Sequence, residues 1–504
     1  MNILLINTPS RKGLGGFMLP LGLLYVGGIV ERCGHRARVV DPYLQDLELR
    51  DFDSNKFDYI DELIEDFEPT IVGYGGIATS YGRAKRLALH VKERHPNIVQ
   101  IAGGALASVD ELLLTRARVD AVFHGETEIS LPIFLEKAEG GQPFTAVPGI
   151  SFLSEGKIVR NAMAEQVKDL DTIPLPAYHL VGVPRYFQSV DDWLRGWKAM
   201  LEASPHYPDI LRTIGNRKHC IPMVTSRGCT HRCLFCYRHV SGVRQHSVDY
   251  VIRHIKFLRD KYGVEGFQFC DELFNPKVEW VMEFCDALER ERLNIFYMIG
   301  GARIDKVNEK MLRRLKETGC IEIGYGQESG SDAVLKEYRK GITSKQNRDI
   351  TLLTKEVGLN CPVQLVIGSP GETTKTVYET IKFLKEVDAR QYSLNYLIAL
   401  PKTPIWDYVE KHKLVADVEA YLNLVAEQGG VPLLNLTKEP DRVWRNWSRI
   451  IDIEMMMHNS RSSDLKRYSI LRPVLEVEKR ISPFLPNLPK AMKRAAKRIL
   501  HAGF

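Results

Sequence analysis

The strongest constraint in the sequence is a group of three closely spaced cysteines. Cys229, Cys233 and Cys236 follow a C-x3-C-x2-C spacing on one short segment. Three thiols this close cannot all pair as disulfides, but their thiolates can converge on one soft metal centre, which would be zinc, copper(I) or an iron–sulfur cluster. A structural zinc site needs four protein ligands, and His231 or His239 could supply the fourth. No second Cys/His pair at ribbon or finger spacing follows, which favours a cluster held by three cysteines.

The same segment resembles the signature of radical S-adenosylmethionine (SAM) enzymes, in which an aromatic residue, here Phe235, precedes the third cysteine. The resemblance implies that Cys229, Cys233 and Cys236 hold a [4Fe–4S] cluster and that the open iron of this cluster binds SAM. It also implies that the reduced cluster cleaves SAM to a 5′-deoxyadenosyl radical. An external electron donor of the flavodoxin or ferredoxin type is therefore expected, and Phe235 is expected to border the adenine.

Composition sets the broad class of the chain. Its 504 residues, 44% of them hydrophobic, are enough for two or three domains with sizeable cores. The odd number of cysteines, nine, argues against a disulfide framework. We find no secretory signal and no uninterrupted apolar run of about 18 residues. These features predict a cytoplasmic protein, in which an iron–sulfur cluster could survive.

Residues 1–140 alternate short apolar runs with helical patterns, which is the signal of a parallel α/β sheet. Five runs are predicted to be strands: Asn2–Ile6, Ala37–Val40, Ile71–Tyr74, Val99–Ala102 and Ala121–His124. Most of them continue into loops rich in glycine and small residues. Ligands of open α/β sheets bind at the carboxyl ends of the strands, and glycines there let the backbone approach a large cofactor. One such loop is usually a tight turn, but four at one edge favour a cofactor site.

Together with the cysteine motif, this half resembles the cobalamin-binding domain that precedes the radical SAM core in class B, or cobalamin-dependent, radical SAM enzymes. The resemblance covers residues 1–415 and implies a Rossmann-like (flavodoxin-like) domain. It also implies cobalamin contacts from the strand-end loops, by Gly15, Gly16, Thr79, Ser80, Gly103, Gly104, Gly125 and Glu126. Because the D-x-H-x-x-G motif of other cobalamin proteins is absent, no histidine is expected as an axial cobalt ligand.

Two other interpretations of the amino-terminal half fit the sequence less well. A dinucleotide site requires G-x-G-x-x-G directly after the first strand and an acidic residue about 20 positions later. The segment Gly13-Leu-Gly-Gly16 does not have this spacing. A methylthiotransferase would carry a second three-cysteine cluster in this half, which contains only Cys33.

Residues 141–215, which include the proline-rich segment 169–177, are interpreted as a linker. Residues 216–415 again alternate strands and amphipathic helices. Six strands are predicted: Pro222–Thr225, Gly266–Cys270, Ile295–Ile299, Ile321–Gly326, Pro362–Ile367 and Ser393–Ile398. Six βα units predict an open, partial (β/α)6 barrel.

Polar groups follow three successive strands of this barrel, where barrel enzymes place their chemistry. Each group alone has an ordinary explanation, such as an acidic residue at a helix start. Their joint occurrence favours a site. The resemblance implies SAM contacts by Phe235, Asp271, Glu272, Arg303, Gly324, Gly326 and Glu328.

Residues 416–504 are predicted to form a mainly helical carboxyl-terminal region with a basic tail. From Asp464 onward the chain has ten Lys or Arg and three Asp or Glu. An apolar strip including Met492, Ile499 and Leu500 lies opposite four cations. Such a helix is typical of a peripheral membrane contact, although a solvated helix end and a nucleic-acid contact have the same pattern. We treat nucleic acid as the least favoured of the three.

The cofactors and the tail together predict a function. We expect a cobalamin-dependent radical SAM methyltransferase that transfers a methyl group to an unactivated carbon, and the tail favours a lipid-like substrate over another small molecule. A class B cyclase or oxidoreductase and a phosphorus methylase remain alternatives. A cobalamin carrier or sensor would leave the cysteine segment without a purpose.

Overall fold

The computed structural model describes residues 1–10, 19–42, 57–189, 206–428 and 432–462. These residues form two seven-stranded sheets and one two-stranded ribbon. The predicted cobalamin contacts Gly15 and Gly16 and the basic tail lie outside the described residues.

The sixteen strands of the described residues are β1 (Asn2–Asn7), β2 (Arg36–Val40), β3 (Ile71–Gly76), β4 (Val99–Gly104), β5 (Ala121–Phe123), β6 (Ile150–Ser154), β7 (Lys157–Arg160), β8 (Gln188–Ser189), β9 (His219–Met223), β10 (Ser226–Gly228), β11 (Val243–Gln245), β12 (Gly266–Phe269), β13 (Phe296–Ala302), β14 (Cys320–Glu328), β15 (Val363–Ile367) and β16 (Tyr392–Tyr396).

The α-helices of the same residues are α1 (Leu21–Arg32), α2 (Asp58–Phe67), α3 (Tyr81–Arg94), α4 (Asp110–Thr115), α5 (Ser130–Glu139), α6 (Tyr207–Ile214), α7 (Val248–Tyr262), α8 (Val278–Arg290), α9 (Glu309–Glu317), α10 (Asp332–Glu337), α11 (Ser344–Val357), α12 (Thr374–Glu386), α13 (Pro404–Lys411), α14 (Val418–Gln428), α15 (Asp441–Trp444) and α16 (Trp447–Ser462).

The first sheet has the strand order β2-β1-β3-β4-β5-β6-β7. Its first five strands are parallel and are the five strands predicted from the sequence. The sheet extends past the predicted domain boundary at residue 140, because β6 pairs antiparallel with β5 and β7 pairs antiparallel with β6. Part of the predicted linker therefore belongs to this sheet. These two strands close the edge that β5 would otherwise expose.

The second sheet has the order β16-β15-β14-β13-β12-β9-β8. Its six parallel strands are those predicted for a partial barrel, and β8 adds a short antiparallel edge beside β9. The predicted fold class is confirmed: a Rossmann-like domain, a parallel half-barrel and a helical carboxyl-terminal region.

Local sequence signals explain where the barrel helices begin and end. Helix α7 begins after Ser247, whose side chain accepts a hydrogen bond from the Tyr250 amide, and it ends at Gly263 in the left-handed conformation. Helix α11 begins at a capping box formed by Thr343 and Gln346. The boundaries of these helices are therefore fixed by a few polar residues and glycines.

The carboxyl-terminal helices cover apolar surface on both domains. Trp444, Trp447 and Ile451 pack against strands and helices at the β16 end of the half-barrel, and the Tyr392 hydroxyl of edge strand β16 donates to Asp452. An open sheet edge is thereby shielded.

Helix α14 instead returns to the first domain. Leu422 is buried within the core that surrounds β1 and β3, and Glu419 accepts hydrogen bonds from Tyr81 and Lys85 of α3. The core of the first domain thus includes a residue from the carboxyl-terminal region.

None of the helices in the described ranges combines the length and apolar character that crossing a bilayer requires.

Replacing Leu422 by alanine should leave a cavity in the first domain's core. We expect Leu422→Ala to lower the free energy of unfolding by about 2–4 kcal/mol, measured by urea unfolding. Leu424→Ala is the matched control, because Leu424 lies on the same helix but is 38% exposed. Equal destabilisation by the two changes would contradict the packing of α14.

Candidate active site

The carboxyl ends of the two parallel sheets face one cavity of about 560 Å³. Its wall on the first domain comes from the ends of β1, β3, β4 and β5 and from the start of α1. Its wall on the half-barrel comes from β10 and from the segment after β12, Cys270 to Glu272. The two strand-end sets that the sequence singled out therefore meet in one space, as expected for α/β ligand sites.

Glycines form much of the cavity wall on the first domain. Four predicted cobalamin contacts, Gly103, Gly104, Gly125 and Glu126, line the cavity, and their contact with cobalamin stays a prediction. Gly104 has φ +72°, and a Cβ there would lie 3.1 Å from the Gly76 carbonyl oxygen. Only glycine adopts this conformation at this spacing without strain. The strand ends at Gly103, Gly104 and Gly125 therefore carry no side chains, and we call them the glycine edge.

The other two described candidates for cobalamin contacts do not line this cavity. Ser80 is fully buried, and its hydroxyl donates to the Thr8 carbonyl at 3.1 Å. Thr79 is also buried, and within the described part of the chain its hydroxyl has no hydrogen-bond partner. The structure therefore gives Ser80 a role in joining β1 to the start of α3, and a contact of either residue with cobalamin stays a prediction.

The cysteine segment, residues 229–242, is a loop that begins and ends in the ribbon of β10 and β11. We call residues 229–242 the cluster loop and the ribbon its stem. In the stem, Arg227 lies opposite Arg244 and Gly228 opposite Val243. Gly228 has φ +82°, and a Cβ there would lie 2.4 Å from the Gly242 carbonyl oxygen. The loop can close at this point only because residue 228 has no side chain.

Two of the three cysteines interact in the structure. The Cys236 amide donates to the Cys233 carbonyl at 3.2 Å. The neighbouring Cys236 thiol and the charge of Lys340 lower the pKa of Cys233 despite its burial. The neighbouring Cys233 thiol and burial raise the pKa of Cys236. Over the described ranges, no three His, Cys, Asp or Glu side chains come together as a metal site. The ligand role of the full set, Cys229 included, therefore stays a prediction.

Lys340 lies at the centre of the polar groups near Cys233, and the sequence analysis did not identify it. Its ammonium group donates to Glu328 at 2.9 Å, while the Lys340 carbonyl accepts from the Arg303 guanidinium at 2.9 Å. Burial opposes the charge of Lys340, but Glu328 and Cys233 outweigh this effect and raise its pKa. Lys340 follows a helix rather than a strand, so the strand-end pattern could not find it.

Asp271 and Glu272 lie on the barrel side of the cavity, but they differ in environment. The Asp271 carboxylate accepts hydrogen bonds from the backbone and hydroxyl groups of Thr225 and Ser226, at 2.6–3.2 Å. Burial raises the pKa of Asp271 to about 6 even though these hydrogen bonds oppose the shift. Glu272 is more exposed on the cavity wall, where partial desolvation of its carboxyl raises its pKa. The Asp271 carboxylate therefore fixes the start of the stem, at Thr225 and Ser226. The more exposed Glu272 is available to bind a ligand.

The remaining predicted SAM contacts surround the cluster loop or strand β14. Phe235 packs edge-on against Tyr338, with ring centroids 5.2 Å apart. A Cβ at Gly326 would collide with Glu328 and Lys340, and one at Gly324 would lie 3.0 Å from the Gln364 side chain. Phe235, Arg303, Gly326 and Glu328 thus lie near Cys233 or Lys340, whereas Gly324 packs against β15. Their contacts with SAM stay predictions.

Four charged residues join the stem to the first domain. Arg227 donates to Glu126 at 3.1 Å and to Glu128 at 2.7 Å, and Arg244 holds both oxygens of Glu126, at 2.7 and 2.9 Å. Burial alone would raise the pKa of Glu126, but Arg244 and Arg227 outweigh it and hold the pKa below its usual value. The Glu126 carboxylate thus bonds to two arginines. A contact between Glu126 and cobalamin stays a prediction.

The residues at this site fit the cofactors that the sequence implies. The glycine edge of the first domain can lie against a large flat ligand without a clash. The paired thiols of Cys233 and Cys236 are soft donors of the type that iron–sulfur clusters use. Basic and acidic groups next to them, Lys340 and Glu328, can meet the carboxylate and amino groups of an amino-acid ligand.

Fold and site together define a radical enzyme with several cofactors. Residues 12–135 match the family model of the B12 binding domain, and residues 223–384 match that of the radical SAM superfamily. The chain is a radical SAM enzyme of the cobalamin-dependent type, with cobalamin, SAM and a [4Fe–4S] cluster as its cofactors.

Relatives of known name align over most of the chain. An uncharacterized methyltransferase of Pyrococcus horikoshii is 27% identical over 82% of this chain and 84% of its own length. Cytidylyl-2-hydroxyethylphosphonate methyltransferase of Streptomyces wedmorensis is 25% identical over 73% of each chain. Anaerobic magnesium-protoporphyrin IX monomethyl ester cyclase of Rubrivivax gelatinosus is 23% identical over 94% of this chain and 82% of its own.

Solved structures share the fold. The radical SAM methyltransferase TsrM from Kitasatospora setae, with cobalamin and a [4Fe–4S] cluster bound, has a TM-score of 0.64 at 16% identity, over 82% of this chain and 78% of its own. The cobalamin-dependent SAM radical enzyme OxsB has a TM-score of 0.67 at 18% identity, over 96% of this chain and 72% of its own. The domain order and the half-barrel are therefore shared with enzymes of this type.

Removing the Asp271 carboxylate should release the entry to the stem. We expect Asp271→Ala to lower the free energy of unfolding by about 2–4 kcal/mol, because two buried backbone N–H groups lose their acceptor. Asp271→Asn keeps one oxygen and should cost less. Glu272→Ala is the neighbouring control and should change the urea midpoint little; an equal loss in this variant would contradict the role assigned to Asp271.

Proposed function

We propose that this chain is a cobalamin-dependent radical SAM methyltransferase that transfers a methyl group to an unactivated carbon of a small molecule. The observation that carries the proposal is the single cavity between the two strand-end edges. The glycine edge of the first domain and the barrel segment from Cys270 to Glu272 border the same space. A group carried on the first domain can therefore reach a substrate that is activated on the barrel side.

The three cofactors supply a transferable methyl group and a 5′-deoxyadenosyl radical that can remove a hydrogen atom from carbon. The chain contributes position and the exclusion of water. Leu21, Leu23, Ile101 and Phe123 make much of the cavity wall apolar. The orientation of the substrate against this wall would decide which hydrogen atom is lost.

Cyclisation or oxidation is the second candidate function, and one relative favours it. The relative from Rubrivivax gelatinosus that aligns over 94% of this chain is named as a cyclase. Phosphorus methylation is a further candidate, since the Streptomyces wedmorensis relative is named as a methyltransferase of a phosphonate. Methyl transfer and cyclisation differ in what they make from SAM, which provides the decisive test.

A methyltransferase of this type should convert SAM to two products. We expect the reconstituted, cobalamin-loaded chain under reducing conditions to form S-adenosylhomocysteine, stoichiometric with bound cobalamin, as well as 5′-deoxyadenosine. Both products are measured by chromatography and mass spectrometry. Formation of 5′-deoxyadenosine without S-adenosylhomocysteine would favour a cyclase or oxidoreductase instead.

Two variants, each with one cysteine replaced, serve as controls for this measurement. Cys233→Ala should abolish iron–sulfur incorporation and 5′-deoxyadenosine formation, because the cluster loses a thiolate ligand. Cys33→Ala, which changes a cysteine of the first domain distant from the motif in sequence, should retain both. Stoichiometric zinc without SAM cleavage in the wild-type chain would contradict the proposal.

We extend the proposal to a lipid-like or membrane-partitioned substrate on the basis of the basic tail. The apolar strip with Met492 and Leu500 would enter the headgroup boundary, while the cations beside it would contact anionic lipid. A protein held at a membrane surface would meet substrates that partition into it.

Vesicle binding tests the role of the tail. Truncation at Pro489 should weaken binding to anionic vesicles, because Lys493, Arg494, Lys497 and Arg498 each contribute about 1 kcal/mol near anionic lipid. The electrostatic part should fall with added salt. A full-length variant with these four residues changed to glutamate should also lose binding while it still cleaves SAM. Equal sedimentation of full-length and truncated chains with vesicles would remove the argument for a lipid-like substrate.

A further inference from the structure

The stem of the cluster loop needs support from side chains. Strands β10 and β11 contain three residues each and pair with each other, and neither belongs to one of the seven-stranded sheets. A two-stranded ribbon of this length is marginal on its own. Arg227 and Arg244 are also directly opposite each other, and like charges at such positions repel. The position of the stem must therefore be fixed by other groups.

Glu126 and Glu128, in the loop that follows β5 of the first domain, supply this support. Glu126 lies between the two arginines and bonds to both, and Glu128 bonds to Arg227. The four side chains are 8–18% exposed. Charge-assisted hydrogen bonds at such buried positions are stronger and more directional than surface ion pairs. We call these four residues the stem network.

The stem network also forms part of the cavity wall. Glu126, Glu128 and Arg227 line the cavity, and the Arg227 guanidinium lies over the Tyr25 ring, 5.1 Å from its centroid. One oxygen of Glu128, Oε2, is buried and has no hydrogen-bond partner among the residues that the structure describes. A buried carboxylate oxygen without a donor is costly. A ligand in this cavity that offers an N–H group would remove that cost.

We propose that the stem network is a positioning device that couples cobalamin binding to the geometry of the cluster loop, with Glu128 Oε2 accepting a hydrogen bond from a peripheral amide of cobalamin. The proposal rests on the proposed function, in which cobalamin occupies the cavity. Cobalamin carries several primary amides, which are neutral donors that suit a buried carboxylate. Glu126 and Glu128 are positioning residues, because they act through the stem and not on the reacting atoms.

Coupling of this kind has a consequence for Arg244. Arg244 does not line the cavity in the described structure, yet it holds both oxygens of Glu126. If the network acts as a unit, a change at Arg244 alters cobalamin affinity without touching the ligand. By linkage, bound cobalamin in turn restrains the stem.

The experiment measures hydroxocobalamin binding to the full-length chain by equilibrium dialysis. Glu128→Gln should weaken binding about tenfold, the effect of losing a hydrogen bond to a charged group. Arg244→Gln should weaken it about fivefold, in the usual range of coupling between sites. Arg244→Lys, which keeps the charge, should recover part of this loss.

Lys402→Gln is the matched control. Lys402 also forms an ion pair with the first domain, with Asp110 at 2.8 Å, but it lies outside the cavity and the stem. Its replacement should leave hydroxocobalamin affinity within about twofold, because distant sites behave independently. A loss equal to that of Arg244→Gln would mean that any weakened domain contact lowers affinity, and would overturn the proposal.

Hydrogen exchange of residues 226–245 gives a second, non-catalytic measurement. Hydroxocobalamin at saturation should slow amide exchange of the stem in the wild type but not in Glu128→Gln. Unchanged affinity in both Glu128→Gln and Arg244→Gln, or undiminished protection of the stem in Glu128→Gln, would overturn the proposal. If Arg244→Gln does not fold, Arg244→Lys replaces it in the comparison. Wild-type affinity for hydroxocobalamin in both Arg244→Lys and Glu128→Gln would then overturn the proposal. Failure of the wild type to bind hydroxocobalamin would overturn the proposed function instead.

Discussion

Buried carboxylates that bind backbone and arginine groups hold the active site of this protein together. The cluster loop leaves the half-barrel through a short stem that neither large sheet contains. Asp271 fixes the stem from the barrel side by accepting four hydrogen bonds from Thr225 and Ser226. Glu126 and Glu128 fix it from the first domain. Each carboxylate is costly to bury alone, and each is stabilised only when the stem occupies its place.

The glycine edge of the first domain complements this charged support. At Gly104 and Gly228 the backbone conformation excludes side chains, and the neighbouring carbonyl oxygens lie too close for a Cβ. One glycine keeps the cavity open on the cobalamin side, and the other closes the loop that carries the cysteines. The site therefore combines an edge without side chains and a loop fixed by side chains, which suits a large cofactor facing a small reactive centre.

The sequence was sufficient for the architecture and for much of the cavity wall. All eleven predicted parallel strands are present, because each is an apolar run bounded by glycine or polar residues. The position of a carboxylate at the end of a strand could not show which group it would bond to. The Glu126 carboxylate, for example, bonds to Arg244, more than one hundred residues away. The stem arginines were missed for the same reason, since pairing across domains leaves no local pattern. Lys340 was missed because it follows a helix rather than a strand.

Helix α14 has a consequence for how the chain reaches its folded state. Leu422 joins a core whose other fully buried members, among the described residues, come from the first 122 positions of the chain. A chain made from its amino terminus would finish most of the first domain about 300 residues before this helix emerges. During that interval an apolar site on α3 and its neighbours is exposed to solvent or to chaperones. The core of the first domain is therefore completed only after the half-barrel has been synthesised. A truncated chain that ends within the barrel would leave an exposed, aggregation-prone apolar surface on its first domain.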